Sequence, residues 1–452
     1  MNGNHFKIFI FFILISSQLF GQKSWTLQEC ITYALEHNLT LKDLNYNEKS
    51  NKESRSQSYR DLFPTISASS NYNVWYGRSV DPNTNEIISS DFYSNNYSIG
   101  AGIDIFNGFQ KLNNIRATRF LHEAAKEETL QEKFLLAFRV MSAFYDVKYY
   151  EEQLKIVEEQ LEISQTNVDL VKKQIELGIK AGADLYEAQS VFEGDRLAMV
   201  QSMNSLEAAK LSLLQEMNLT TSDSFEIDIL EDDFMIEEET HKTITVDSVY
   251  NEALMFIPTI KAQEYKVQAA KKDIAMARGA LYPSLSFSAG YSTGFYETNV
   301  DQTGKIIPFN TQIKDNASQY IAFNLNIPIS SRWSRRSQIK QQKINLLRQN
   351  NTLELKKQEL TKIIQKLVQD FVAALAEYEQ TKQNTAAQSL AFTIAQKKYG
   401  KGMISILELN QAKNLLAKAQ NENLQVVSKI KVLKKTIDFY KGLPVFTIEN
   451  SN

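Results

Sequence analysis

From Gln110 to Leu177 the chain runs for 68 residues with neither proline nor glycine, so nothing in it breaks a helix. Read as one α-helix, this stretch would reach roughly 100 Å at about 1.5 Å per residue. Its second half carries Leu154, Val157, Leu161, Ser164, Val168, Val171 and Ile175, the a/d seam of a coiled coil. Its first half sets Phe134, Phe138, Met141 and Tyr145 on one helical face. A globular domain of ordinary size has no room for such a rod. The rod must be an architectural part.

Residues 1–21 read as a signal peptide. Lys7 gives the positive start, Ile8 to Ile15 an apolar run, and Ser16, Ser17 and Gly21 the small residues of a cleavage site. The apolar run is too short to cross a bilayer. The protein is therefore expected to be exported. The sole cysteine, Cys30, can form no disulfide within the chain and stands too far from the cut to take a lipid anchor. It reads as a small buried residue. Charge is nearly balanced, 50 Lys+Arg against 53 Asp+Glu, and no basic face points to nucleic acid.

Taken in order, a helical pattern from Trp25 to Leu62 stops at Pro64, and the apolar period then changes from 3.6 to 2. Ile66, Ala68, Ser70, Tyr72, Val74 and Tyr76 alternate with Thr65, Ser67, Ser69, Asn71 and Asn73. After a polar loop from Arg78 to Asp91, Tyr97, Ile99, Ala101, Ile103 and Ile105 alternate with Ser98, Gly100, Gly102 and Asp104. The rod follows, and a returning helix spans about Asp184 to Met217. An acidic connector covers 220–245. The pattern then repeats: a helix from Asp247 to Leu281, Pro283, two more alternating runs, a second rod and a last helix from Glu408 to Tyr440. Pro64 and Pro283 are 219 residues apart, and Gly178 and Gly402 are 224 apart. The chain is a duplicated helix–β-hairpin–long-helix unit. The first repeat takes 22–219, with strands about 64–76 and 93–106 and a long helix about 110–177. The second takes 246–443, with strands about 284–296 and 319–329 and a long helix about 335–399. Residues 444–452 form a tail.

The strands pair an apolar face rich in Tyr and Phe with a face of Ser, Asn and Gly. Soluble sandwiches usually put Lys, Glu and Arg on the outer face. Small polar residues on one side and apolar residues on the other are the pattern of an outer-membrane barrel. Four strands cannot close one, since the smallest have about eight. An open sheet in hydrocarbon would leave its edge groups unsatisfied. Copies of the chain are therefore expected to associate through these strands, giving a fold that is mainly α with a membrane β-barrel.

Several short motifs add to this. The chain opens Trp25-Thr26-Leu27-Gln28-Glu29, then Tyr33-Ala34-Leu35-Glu36-His37-Asn38; Leu62-Phe63-Pro64 and Leu281-Tyr282-Pro283 lead into the strands. The paired tips read Gly178-Ile179-Lys180-Ala181-Gly182-Ala183-Asp184-Leu185 and Gly402-Met403-Ile404-Ser405-Ile406-Leu407-Glu408-Leu409. In this order, twice over, these residues resemble the outer-membrane efflux proteins of the TolC family, across essentially the whole mature chain. The resemblance implies a homotrimer, with three times four strands closing a 12-stranded barrel continued by a 12-helix periplasmic α-barrel. It implies an exit duct of a tripartite efflux or type I secretion system, set in outer-membrane lipid. Its partners would be a periplasmic adaptor protein and an inner-membrane transporter. It also implies a periplasmic gate at the helix tips, on Asp184, Glu187, Tyr399, Glu408 and Gln411. Gln411 is neutral, and Ile404 is apolar, where the family's type member has an acid and an arginine. The residues expected to meet an adaptor are Gly178, Ile179, Lys180, Ala181, Gly182, Gly402, Met403, Ile404 and Ser405. A carboxylate just after a turn can equally be an ordinary helix cap.

No chemistry of another kind stands out. His37, His122 and His241 lie in separate elements without ligand spacing. No phosphate-cradling loop or nucleophile elbow occurs. The expectation is a protein without cofactor, metal or catalytic residues. The competing reading is a soluble periplasmic coiled-coil adaptor or scaffold, which explains the rods and leaves the aromatic strands unexplained.

Overall fold

A computed structural model describes residues 24–81, 85–220, 226–227 and 244–446. The signal peptide, most of the acidic connector and the end of the tail lie outside the described residues. The elements, in order, are β1 (Ser24–Trp25), α1 (Leu27–His37), α2 (Leu39–Arg60), β2 (Thr65–Trp75), β3 (Ser79–Val80), β4 (Ile87–Ile88) and β5 (Phe92–Phe106). Then come α3 (Gln110–Glu176), α4 (Gly182–Met217), β6 (Glu226–Ile227), α5 (Val246–Phe256), α6 (Pro258–Gly279), β7 (Ser284–Tyr296), α7 (Phe309–Asp315), β8 (Ser318–Asn326), α8 (Ser334–Gly400) and α9 (Ile406–Tyr440). They form two compact units. The first holds Met1–Asn45, Glu128–Ile260 and Leu355–Asn452, the second Tyr46–Glu127 and Lys261–Glu354.

Two helices expected to be continuous are broken, each for a local reason. The first stops at Asn38, whose backbone is extended at ψ 124°. Its N–H donates to the Ala34 carbonyl, while its side-chain oxygen accepts from the Leu41 N–H at 3.0 Å. One residue thus caps the helix before it and the helix after it. The second break falls at Ile257, ψ 120°, because the ring of Pro258 disfavours helical backbone in the residue before it. The polar loops also hold structure of their own, the β3–β4 hairpin and the helix α7.

The second unit carries the four-stranded antiparallel sheet, in the order β2–β5–β7–β8. Its register settles which residues share a face. Ile66 pairs with Ala101 and Ala68 with Ile99; Ala101 pairs with Ala289 and Ile103 with Phe287; Phe287 pairs with Phe323 and Leu285 with Leu325. Residues opposite each other point the same way, so the four apolar sets fall on one face and the Ser, Asn and Gly sets on the other. On the apolar face the Phe287 and Phe323 rings lie 5.1 Å apart. On the polar face the Tyr320 ring covers Gly290, where a Cβ would stand 2.4 Å from the ring.

The first unit is helical, with its largest core around α3. Leu136, Ala137, Val140, Phe144 and Val147 pack with Cys30, Ile31 and Ala34 of α1 and Leu213 and Met217 of α4. A two-residue parallel bridge, Trp25 opposite Ile227, seals this core. Burial pushes the Cys30 thiol up to about 12, with Glu29 adding to it, so it behaves as the small apolar residue expected. Phe439 of α9 sits 4.7 Å from Phe134 and 5.0 Å from Phe138, which accounts for the aromatic face of the rod.

Candidate functional site

The paired turns at the ends of the long helices lie in the first unit and are built alike. Each rod stops at a glycine in the left-handed region, Gly178 and Gly402, both at φ 71°. The Gly178 N–H donates to the Ile175 carbonyl at 2.9 Å and the Ile179 N–H to Gln174 at 2.8 Å. The second turn repeats this with Gly402 to Tyr399 at 2.9 Å and Met403 to Lys398 at 3.0 Å. Both are Schellman motifs, which need a residue free to take positive φ.

The chain re-enters helix three residues later. At Ser405 the capping box is complete. The Glu408 N–H donates to Ser405 Oγ at 3.2 Å and the Ser405 N–H to Glu408 Oε2 at 2.8 Å. The first turn has Ala181 there, so only half of the box exists: the Ala181 N–H donates to Asp184 Oδ2 at 3.1 Å. Asp184 and Glu408 are therefore helix caps in the isolated chain.

Under the turns lies a small apolar cluster of Val168, Val171, Ala188, Phe392, Tyr399, Ile406, Leu409 and Leu416, with Ile175, Leu185 and Ile404 packed against it. Tyr399 belongs to this cluster at 4 % exposure, and its hydroxyl has no hydrogen-bond partner. The Lys180 ammonium lies 5.2 Å from the Tyr399 ring centroid and 3.6 Å from Asp184 Oδ1. Burial raises the Tyr399 phenol above its ordinary value, and the Asp184 charge adds to the rise.

The structure thus brings together Asp184, Tyr399 and Lys180, and leaves Glu187, Glu408 and Gln411 exposed. Ile179 and Met403, each 67 % exposed, are the outward apolar residues of the two turns. Lys180 differs from the other turn residues. Its side chain is only 21 % exposed and is already engaged within the chain. One pair escaped the sequence reading altogether: Lys413 of α9 is ion-paired with Asp195 of α4 at 2 % and 16 % side-chain exposure. The signal was legible, since Lys413 interrupts the helical stripe Leu409–Leu416 with a charge.

Among the described residues no group of three or more His, Cys, Asp or Glu could hold a metal ion, and no helix is long and apolar enough to cross a membrane.

The family model described as outer membrane efflux protein matches residues 30–218 and 249–436. The outer membrane protein TolC of Vibrio cholerae is 22 % identical over 248 residues, 54 % of this chain and 54 % of that one. The chain thus spans about half the length of the curated relative it matches. The solved structure of CusC superposes with a TM-score of 0.71 at 18 % identity, covering 94 % of this chain and 96 % of that one. VceC of Vibrio cholerae gives a TM-score of 0.75 at 14 % identity, covering 92 % and 96 %. The first is described with transmembrane channel formation and the second as an outer membrane protein. The two matched spans take in most of both repeats, and the chain belongs to the outer membrane efflux protein family, whose place is the outer membrane.

Proposed function

We propose that three copies of this chain form one passive exit duct, crossing the outer membrane as a 12-stranded barrel and the periplasm as a helical tube. The duct would serve a periplasmic adaptor and an inner-membrane transporter. The observation that carries this is the sheet. Among the described residues its two outer strands, β2 and β8, pair with no strand on their free edges, while Ile66, Ile321, Phe323 and Leu325 stand 63–73 % exposed on one face. In hydrocarbon that face is at home and the free edges are not. Pairing β8 of one copy with β2 of the next satisfies both requirements, and closure at three copies gives twelve strands.

The duct's periplasmic end lies at the paired turns. Asp184 and Glu408, with Glu187 beside them, would form rings of negative charge under threefold symmetry, attracting cations and repelling anions. Gln411 adds no charge to such a ring. Tyr399 would act from beneath, as the buried post on which Lys180 and Asp184 rest. Ile179 and Met403, with the small residues Gly178, Ala181, Gly182, Gly402 and Ser405 and the apolar Ile404 around them, offer the adaptor an apolar, low-relief surface.

Light scattering on detergent-extracted protein, with the detergent subtracted, tests the assembly. Three times the mass of the mature chain, recovered from the outer-membrane fraction, is the expected result. A monomer soluble without detergent would remove the duct and leave a periplasmic coiled-coil scaffold. As a second check, Phe287→Lys with Phe323→Lys puts two charges on the apolar face at roughly 2–4 kcal/mol each near the bilayer midplane, and assembly in the membrane should be lost.

A further inference from the structure

The long loop after β7 does not run free. Its last part folds into α7, whose ring and hydroxyl contacts with the strands reach the apolar face of the sheet. The Phe309 ring stands 5.6 Å from Phe295 and 6.4 Å from Tyr97. The Thr293 hydroxyl donates to the Ile313 carbonyl at 2.6 Å. Thr293 pairs with Tyr97, and Phe295 with Asn95, so all of these belong to the face that carries Ile99 and Phe287, not to the face of Ser and Gly.

The attachment is firm. Gln312 is fully buried. Its amide nitrogen donates to the Tyr296 and Ile307 carbonyls at 3.0 and 2.8 Å, and its oxygen accepts from the Tyr296 N–H at 2.9 Å. The Asn316 side chain donates to the Gly294 carbonyl at 2.8 Å. Ordinary loops turn polar groups outward. Here Val300 and Ile306, joined by a β-bridge, and Phe309 are 47, 43 and 44 % exposed. Phe309 lies beside Phe295, whose ring stands 5.6 Å from that of Tyr93. A band of Tyr and Phe at the end of the apolar strands is where a barrel meets the headgroup layer.

We propose that residues 297–316 fold down the lipid-facing side of the sheet, so that α7 and the Val300–Ile306 bridge form an interaction surface for the headgroup–acyl boundary of the membrane, not a cap over the pore mouth. The occupant is the lipid layer itself. The surface is continuous with the apolar sheet face through Phe309 and Phe295, and its charges are mixed in sign (Glu297, Asp301 and Asp315 against Lys305 and Lys314), as suits contact with lipid at large better than capture of one anion. This rests on the barrel reading above.

The test attaches a fluorophore to single cysteines and measures quenching by lipid carrying a headgroup-level nitroxide in reconstituted vesicles. The native Cys30, fully buried with its thiol pushed up to about 12, stays unlabelled. Phe309→Cys should lose most of its emission, Ile321→Cys on the sheet face should also be quenched, and Gln302→Cys at the loop turn should not. Quenching at Ile321 without quenching at Phe309 would overturn the surface and leave the barrel standing. No quenching at Ile321 would remove the barrel and this surface with it.

Discussion

Removing Asp195 should loosen the helix pair above the turns far more than removing its partner. Lys413 has a side chain only 2 % exposed, against 16 % for Asp195. In Asp195→Ala the ammonium keeps no route to water, and leaving a buried charge uncompensated costs about 3–5 kcal/mol. In Lys413→Met the carboxylate can reach solvent, and the cost should fall to about 1–2 kcal/mol. The double change Asp195→Leu with Lys413→Met should lie near neutral, because a buried pair replaced by apolar groups of similar volume often loses nothing. Local opening is the quantity to read. Amide exchange on the detergent-solubilised protein, over residues 190–200 and 409–420, should speed up by about two to three and a half orders of magnitude in Asp195→Ala, since each factor of ten is about 1.4 kcal/mol. The double variant should return close to wild type, so the two single costs do not add. If Asp195→Ala changes exchange by less than about a factor of two, the ordinary range for surface substitutions, the pair does not hold the helices together. If Lys413→Met proves the costlier of the two, the asymmetry drawn from exposure is wrong.

Four further outcomes follow from the turns. Glu408→Gln keeps an acceptor for the Ser405 N–H and removes the charge, whereas Ser405→Ala breaks the cap and keeps the charge. Single-channel recordings should show weaker cation preference in the first only, and amide exchange should show about 1 kcal/mol of fraying in the second only. Tyr399→Phe should be neutral or stabilising by up to about 1 kcal/mol, because the hydroxyl is buried without a partner. With the folded phenol raised, stability in the wild type is full below the ordinary tyrosine value near 10 and falls as pH rises through the folded value. Thermal melts above pH 10 should therefore lose less in the Phe variant. Gly178→Ala and Gly402→Ala meet no atom within 4 Å, so each should cost only the backbone penalty of positive φ, about 1–2 kcal/mol, seen as lower protection of the turn amides. Lys180→Met should open residues 178–184 to exchange and leave 402–408 unchanged.

Much of the fold was legible because a few residues dictate it. The glycine- and proline-free run announced α3, and the change of period after Pro64 and Pro283 announced β2 and β7. The register was not legible: alternation shows that each strand has two faces, but only pairing such as Ile103 with Phe287 shows that all four apolar faces coincide. The break at Ile257 could have been read from Pro258. The break at Asn38 depends on one side chain capping the next helix, and an Asn inside a helical pattern gives only a weak sign of that. At the turns, the sequence named Asp184, Glu408 and Tyr399 and gave each a place beside a glycine. It could not say that Tyr399 faces inward, because a tyrosine in the last turn before a glycine can point either way.

The two turns show how duplication and difference combine. Both use the same backbone stop, a glycine at φ 71° with paired carbonyl contacts, so the stop is a property of the repeat. The restarts differ. Ser405 completes a capping box that ties the second turn to its own helix, a local bond set worth about 1 kcal/mol. Ala181 cannot, and the first turn recovers part of that loss from elsewhere. Lys180, two residues past its glycine, reaches both Asp184 and the ring of Tyr399 on α8. At the same offset the second turn has Ile404, which packs into the apolar cluster. A part-exposed ion pair of this kind contributes about 1 kcal/mol and is screened by salt, whereas the apolar packing of Ile404 and the Ser405 hydroxyl cap are not. The first turn is accordingly the one whose order depends on ionic strength and on its contact with the neighbouring long helix, and the second holds its shape by itself. If the proposed duct opens at this end, the first turn would be the mobile element and the second the fixed one.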